Sequence, residues 1–189
     1  RFPWTQADSG GGTVTLWDLM PVFETYKQIA LADPTSANRA AVDSVARHAE
    51  KYFNPAIKPV GGYTWRPGVA DAFFDDSGWV GLNFIHAYAA THEQRYLLDA
   101  AKAFRFIAVA GWAKSGGVWW DIPGKTYKNA ISNELYFKLL ASLHNRIPGD
   151  TLYLDRALEA WHWFDNSGMR NNANLINDGL RTQSGSCAS

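Results

Sequence analysis

The 189 residues suffice for one domain with its own core, and a composition of 47% hydrophobic and 19% charged residues is that of a soluble globular chain, with no apolar run near the roughly 20 residues of a membrane helix. Eighteen Lys and Arg balance eighteen Asp and Glu, so no global field draws the chain onto phosphate backbones or anionic lipid, and neither nucleic acid nor a membrane span is expected. The nine Trp, eight Tyr and ten Phe often adjoin Gly, Asn and Asp, a pattern that suits sugar rings as well as a helical core.

The chain opens on Arg1, as in a processed or trimmed protein, and "SGGGT" near the start reads as a flexible segment rather than a nucleotide site. Leu16, Leu19, Met20 and Phe23, extended by Tyr26 and Ala30, mark a first helix. Asp33-Pro34-Thr35-Ser36 breaks the chain, and Val42, Val45, Ala46, Ala49 and Phe53 mark a second helix stopped by Asn54-Pro55. A third stripe runs through Trp79, Leu82, Ile85, His86 and Ala89, and a fourth through Tyr96, Leu97, Ala100, Ala101, Phe104 and Ala108. "GGVWWD" is too short for a helix and is expected to be extended. The fifth stripe uses Asn133, Tyr136, Phe137, Leu140, Ala141 and His144, and the sixth Leu154, Ala157, Trp161 and Phe164.

"YLLDAAKAFRFI" from Tyr96 resembles "YLDRALEAWHWF" from Tyr153, which predicts three successive helical hairpins, an all-α architecture of repeated units. The tail from Asn171 carries no helical stripe. Its Cys187 is the only cysteine, so no disulfide closes within the chain, and the scattered histidines predict no metal site.

Three segments could carry chemistry. Asp75-Asp76 stands where the third helix should begin, where one aspartate would cap the first turn. Two adjacent carboxylates repel, and burial beside Phe73, Phe74 and Trp79 would raise one pKa while the helix terminus holds the other group ionised. An acid beside a base is what glycosidic cleavage requires, and neighbouring residues suit the ~5–5.5 Å carboxyl spacing of retaining enzymes better than the wider inverting one. On these two residues alone, capping and catalysis both remain open.

The second segment, residues 115–136, sets Gly116-Gly117, Trp119-Trp120, Lys128, Asn129 and Asn133 together, reading either as a hydroxyl-binding lip or as a capped, polar helix start. In the third, "LINDGL", Asp178 precedes a turn-forming glycine.

In order and spacing, "FFDDSGWVGL", "GGVWWD", "YKNAISNELY" and "LINDGL" resemble the motif series of glycoside hydrolase family 76, the endo-α-1,6-mannanases and related fungal cell-wall enzymes, from Phe73 to Leu180. The resemblance implies an (α/α)6 toroid of six hairpins with its groove across the ends of the inner helices, and a retaining mechanism without cofactor or metal. It implies Asp75 as nucleophile and Asp76 as acid/base, with Trp119, Trp120, Lys128, Asn129, Asn133 and Asp178 lining mannose subsites. The implied partner is α-mannan or a mannose-containing oligosaccharide, met by a secreted or cell-wall-associated enzyme.

The family's domain is close to twice this length. Residues 1–189 are therefore expected to form the N-terminal half of one such domain, about three of its six hairpins, with the other half outside this sequence or supplied by a second chain. Two other readings stay open: a transglycosylase using the same carboxylates, and a non-catalytic carbohydrate-binding or interaction module. Geometry separates the last, since catalysis needs both aspartates in one open groove whereas capping turns both into first-turn N–H groups.

Overall fold

The computed structural model describes residues 14–181 and 187–188, so the "SGGGT" segment lies outside the described residues. The six predicted stripes become six helices: α1 Leu16–Ala32, α2 Ser36–Glu50, α3 Phe74–Thr91, α4 Arg95–Phe106, α5 Ala130–His144 and α6 Leu152–Asn166. Thr15 and Thr35 cap α1 and α2, their side chains accepting the N–H groups of Asp18 and Asn38. Each odd helix packs on the even helix that follows it, giving three hairpins, and α1, α3 and α5 also pack side by side. The apolar stripes meet in one core through Leu19, Phe23, Val45, Phe84, Ile85, Tyr96, Leu139 and Leu140.

α3 is the centre of this arrangement, touching α1, α2, α4 and α5. Gly78 and Gly81 let it approach α5: a Cβ on Gly78 would fall 2.6 Å from Cβ of Leu135, and one on Gly81 2.7 Å from Cδ2 of Leu139. The start of α3 is thereby locked into the middle of the protein, with α1 on one side and α5 on the other.

Three boundaries differ from the sequence pattern. α2 stops at Glu50, three residues before Phe53, because the Lys51 and Tyr52 N–H groups turn back to His48 and Ala49 carbonyls. Phe53 instead lies in a short strand, β1 Phe53–Asn54, antiparallel to β2 Gly62–Tyr63. The fourth helix widens after Phe106 into a π-helical turn over Ile107–Gly111, so Ala108 sits in that turn rather than in regular helix. The tail is also not featureless. β4 Gly179–Arg181 pairs antiparallel with β3 Tyr127–Asn129 and with β5 Cys187–Ala188. Strands of two or three residues are too short for alternation to register, and β3 and β4 pair across some fifty residues of chain.

Candidate active site

Asp75 and Asp76 occupy the first turn of α3, one residue inside the helix and not at its cap. The cap position is Phe73, which has no polar side chain to offer. The first N–H of the helix, on Phe74, is met by the Trp120 carbonyl at 2.8 Å, and the Ile122 N–H returns to the Ala72 carbonyl at 3.3 Å. Residues 120–122 thus run antiparallel to residues 72–74, bridging Phe73 to Asp121. A backbone strand takes over part of the capping role that the sequence left open for an aspartate.

The two carboxylates consequently differ. Asp75 accepts the Asp76 N–H on Oδ1 at 3.0 Å and the Trp120 indole N–H on Oδ2 at 3.1 Å. Asp76 is 7% exposed, and no described residue hydrogen-bonds its carboxylate. Burial raises the pKa of Asp75, and the hydrogen bonds from Asp76 N–H and the Trp120 indole hold that rise back. For Asp76, burial and then the charge of Asp75 push the pKa up to about 7. One carboxylate is set to be ionised while its neighbour keeps a proton to near neutrality. Both line one cleft of about 330 Å³ with Thr15, Trp17, Trp65, Phe73 and Trp120. Of the two capping contacts that would have signalled a purely structural pair, only that of Asp75 is made.

The other residues singled out in the sequence fall into two groups. Trp120 is 38% exposed, forms a wall of the cleft and packs against Phe73 with ring centres 5.0 Å apart. The rest build the support behind it. Asn133 is 2% exposed, accepting the Val118 N–H at 2.7 Å and donating to the Val118 and Asn129 carbonyls at 3.1 and 2.8 Å. Asn129 caps α5 by accepting the Ser132 N–H. The ammonium of Lys128, 4% exposed, bonds Ser115 Oγ and the Gly116 carbonyl and sits over the rings of Trp119 and Trp163.

Gly116 and Gly117 adopt positive φ, with the Trp163 indole pressed where a Cβ would be. The Asp178 carbonyl accepts the Ala130 N–H at 2.8 Å, and its carboxylate accepts the Tyr127 hydroxyl. The side-chain oxygens of Asn129 and Asn133, the amide nitrogen of Asn133 and the ammonium of Lys128 are thus engaged within the protein, as in the capped, polar helix start that the sequence pattern also allowed. Among the described residues, no group of three or more His, Cys, Asp or Glu is placed to hold a metal ion, and no helix is long and apolar enough to cross a membrane.

The sequence matches the profile of glycosyl hydrolase family 76 over residues 16–189. The chain belongs to that family. Comparison with curated proteins gave no match. Among solved structures, the family 76 chain superposes on a GH76 alpha-mannanase of Bacteroides thetaiotaomicron with a TM-score of 0.84 at 23% identity, covering 93% of this chain and 50% of that one. A GH76A alpha-1,6-mannanase from Salegentibacter sp. gives 0.72 at 19% identity, covering 97% and 53%. Cellobiose 2-epimerase from Bacillus thermoamylovorans gives 0.75 at 10% identity, covering 95% and 52%, so the fold by itself does not select a reaction. The family 76 chain spans about half the length of the solved structures it matches, and its three hairpins are three of the six of an (α/α)6 toroid.

In this family 76 chain, the sequence pattern missed four of the cleft residues. Trp17 left a trace: it lies off the Leu16, Leu19, Met20, Phe23 stripe and is 56% exposed, an anomaly for the largest apolar side chain. Thr15 went unremarked in the sequence, and Phe73 was legible only as an apolar neighbour of the aspartates. Trp65, in an aperiodic loop and held by a 3.0 Å bond from its indole to Asp71, left no trace.

Proposed function

We propose that this chain carries the catalytic carboxylates of a secreted retaining glycoside hydrolase that cleaves α-1,6-mannosidic linkages within mannan. The observation that carries the reading is the pair Asp75 and Asp76, side by side in one aromatic-walled cleft with unequal claims on a proton. Asp75 attacks the anomeric carbon while Asp76 gives its proton to the departing glycosidic oxygen, leaving a glycosyl ester on Asp75 and an anionic Asp76. Asp76 then takes a proton from water, whose oxygen displaces Asp75 and restores the starting configuration. Trp17, Trp65 and Trp120 supply flat faces for sugar rings beside the carboxylates. Mannan as substrate is supported by family membership and by the mannanases among the structural relatives, and a polymer of that size is met outside the cell.

The test is turnover of α-1,6-mannan by Asp75→Asn and Asp76→Asn. Both should fall by about 10²–10⁴-fold or more. Asp76→Asn should keep its first step on an aryl mannoside whose leaving group needs no proton, and Asp75→Asn should not. Wild-type turnover in either variant on mannan would contradict the assignment.

A further inference from the structure

Asp75 has a donor on each carboxylate oxygen, and the two donors differ in kind. The N–H of Asp76 belongs to the helix and is present whatever side chains surround it. The Trp120 indole comes from a separate segment that is itself pinned. The Trp120 carbonyl accepts the Phe74 N–H at 2.8 Å, its own N–H donates to the Tyr127 carbonyl at 2.8 Å, and its ring lies between Phe73 and Tyr127. Tyr127 is tied in turn to Asp178 through its hydroxyl. We infer that Trp120 is a positioning residue for the hydrolase proposed above, its indole N–H fixing Oδ2 of Asp75 in the orientation from which the carboxylate attacks. Sugar stacking alone would require only the ring face; the N–H aimed at Asp75 is a second use of the same side chain.

The consequence is electrostatic as well as geometric. A donor to the ionised form favours that form, and Asp76 receives none from the described residues, so the bond from Trp120 directs the shared proton to Asp76. The titratable group facing Asp75 on its own helix is Asp76. The other cleft walls present the Thr15 hydroxyl and the rings of Trp17, Trp65, Phe73 and Trp120, with Asp71 behind Trp65, Arg66 over the Trp65 ring, and Tyr127 and Asp178 at the far side of Trp120.

Two replacements of Trp120 test this: Trp120→Phe, and a benzothienylalanine at position 120, which keeps the bicyclic shape with sulfur in place of the N–H. Carboxyl carbon NMR of the pair, titrated in each protein without substrate, should show the Asp75 midpoint rising by about one unit, narrowing its gap to Asp76. Kinetics on the benzothienyl protein should show the acidic limb of kcat/KM moving up by about the same one unit and the rate falling by up to about tenfold on the acidic side of that limb, with KM within about twofold of wild type. An Asp75 midpoint unchanged in the benzothienyl protein overturns the inference. Absence of mannan hydrolysis by the wild type would instead count against the hydrolase reading and leave the NMR comparison intact.

Discussion

Asp75 and Asp76 have identical side chains on consecutive residues, and what separates them is supplied by neighbours: an indole and a first-turn N–H for one, burial without a hydrogen-bond partner among the described residues for the other. A bell-shaped rate profile follows. The acidic limb belongs to ionisation of Asp75, and kcat/KM should fall again as pH rises through about 7, where Asp76 loses the proton it must donate. Linkage adds a stability prediction. The folded-state pKa of Asp76 lies above its unfolded value, so the folded protein binds more protons between about 4 and 7, and stability falls as pH rises across that window. Asp76→Asn, which cannot ionise, should leave the melting temperature nearly unchanged near pH 4 and raise stability by about 1–4 kcal/mol near pH 8. A pH-independent difference in calorimetry would contradict the buried, weakly acidic Asp76. The sequence made the pair visible, because two carboxylates among aromatics are conspicuous. The direction of the split depended on Trp120, 45 residues downstream of Asp75, and could not be read from the pair itself.

At the scale of elements, the cleft depends on a strut between α5 and the extended segment that carries Trp119 and Trp120. Asn133 makes three hydrogen bonds there, two of them to the fully buried Val118. Asn133→Leu fits the apolar stripe yet orphans the Val118 N–H and two carbonyls, and chemical denaturation should show a loss of about 2–4 kcal/mol. A neutral result would mean that the strut is dispensable. The α3–α5 contact gives a finer comparison. A methyl at position 78 meets the stiff Cβ of Leu135 at 2.6 Å, whereas at 81 the nearest atom is the end of Leu139, which can rotate away, and the stiff neighbour, Cβ of Ala103, stands farther off at 3.1 Å. Gly78→Ala should therefore cost about 1–3 kcal/mol and more than Gly81→Ala. All six helices were legible from their stripes, because burying one face imposes a 3.6-residue period. The Asn in line with the fifth stripe was legible as an anomaly, but its meaning lay in Val118, which no local pattern links to it.

Across the whole molecule, three hairpins arranged as in half of a toroid leave one flank apolar. Phe137, Ala141, Trp161, Phe164 and Ile176, with Glu134, Lys138 and Arg170 also in its lining, form a hollow of about 520 Å³ at the α5–α6 end, with Trp161 and Ile176 each 45% exposed. An apolar surface of this kind promotes association. The 189-residue chain alone should therefore self-associate as its concentration is raised, and Trp161→Glu should shift light-scattering masses toward the monomer; a monomeric wild type would show that the hollow is self-sufficient. The hairpin count could be read from repeated stripes, whereas the cleft assembles from α1, the loop bearing Trp65, α3 and the 120 segment, a convergence that only the fold reveals. The central claim is that Asp75 forms the bond to sugar. Its most direct measurement is peptide mass spectrometry after incubation with an activated 2-deoxy-2-fluoro mannoside, which slows hydrolysis of a glycosyl ester. The mass of one fluorosugar on the peptide at Asp75 is the predicted result, and a label on Asp76 or on another residue would contradict it.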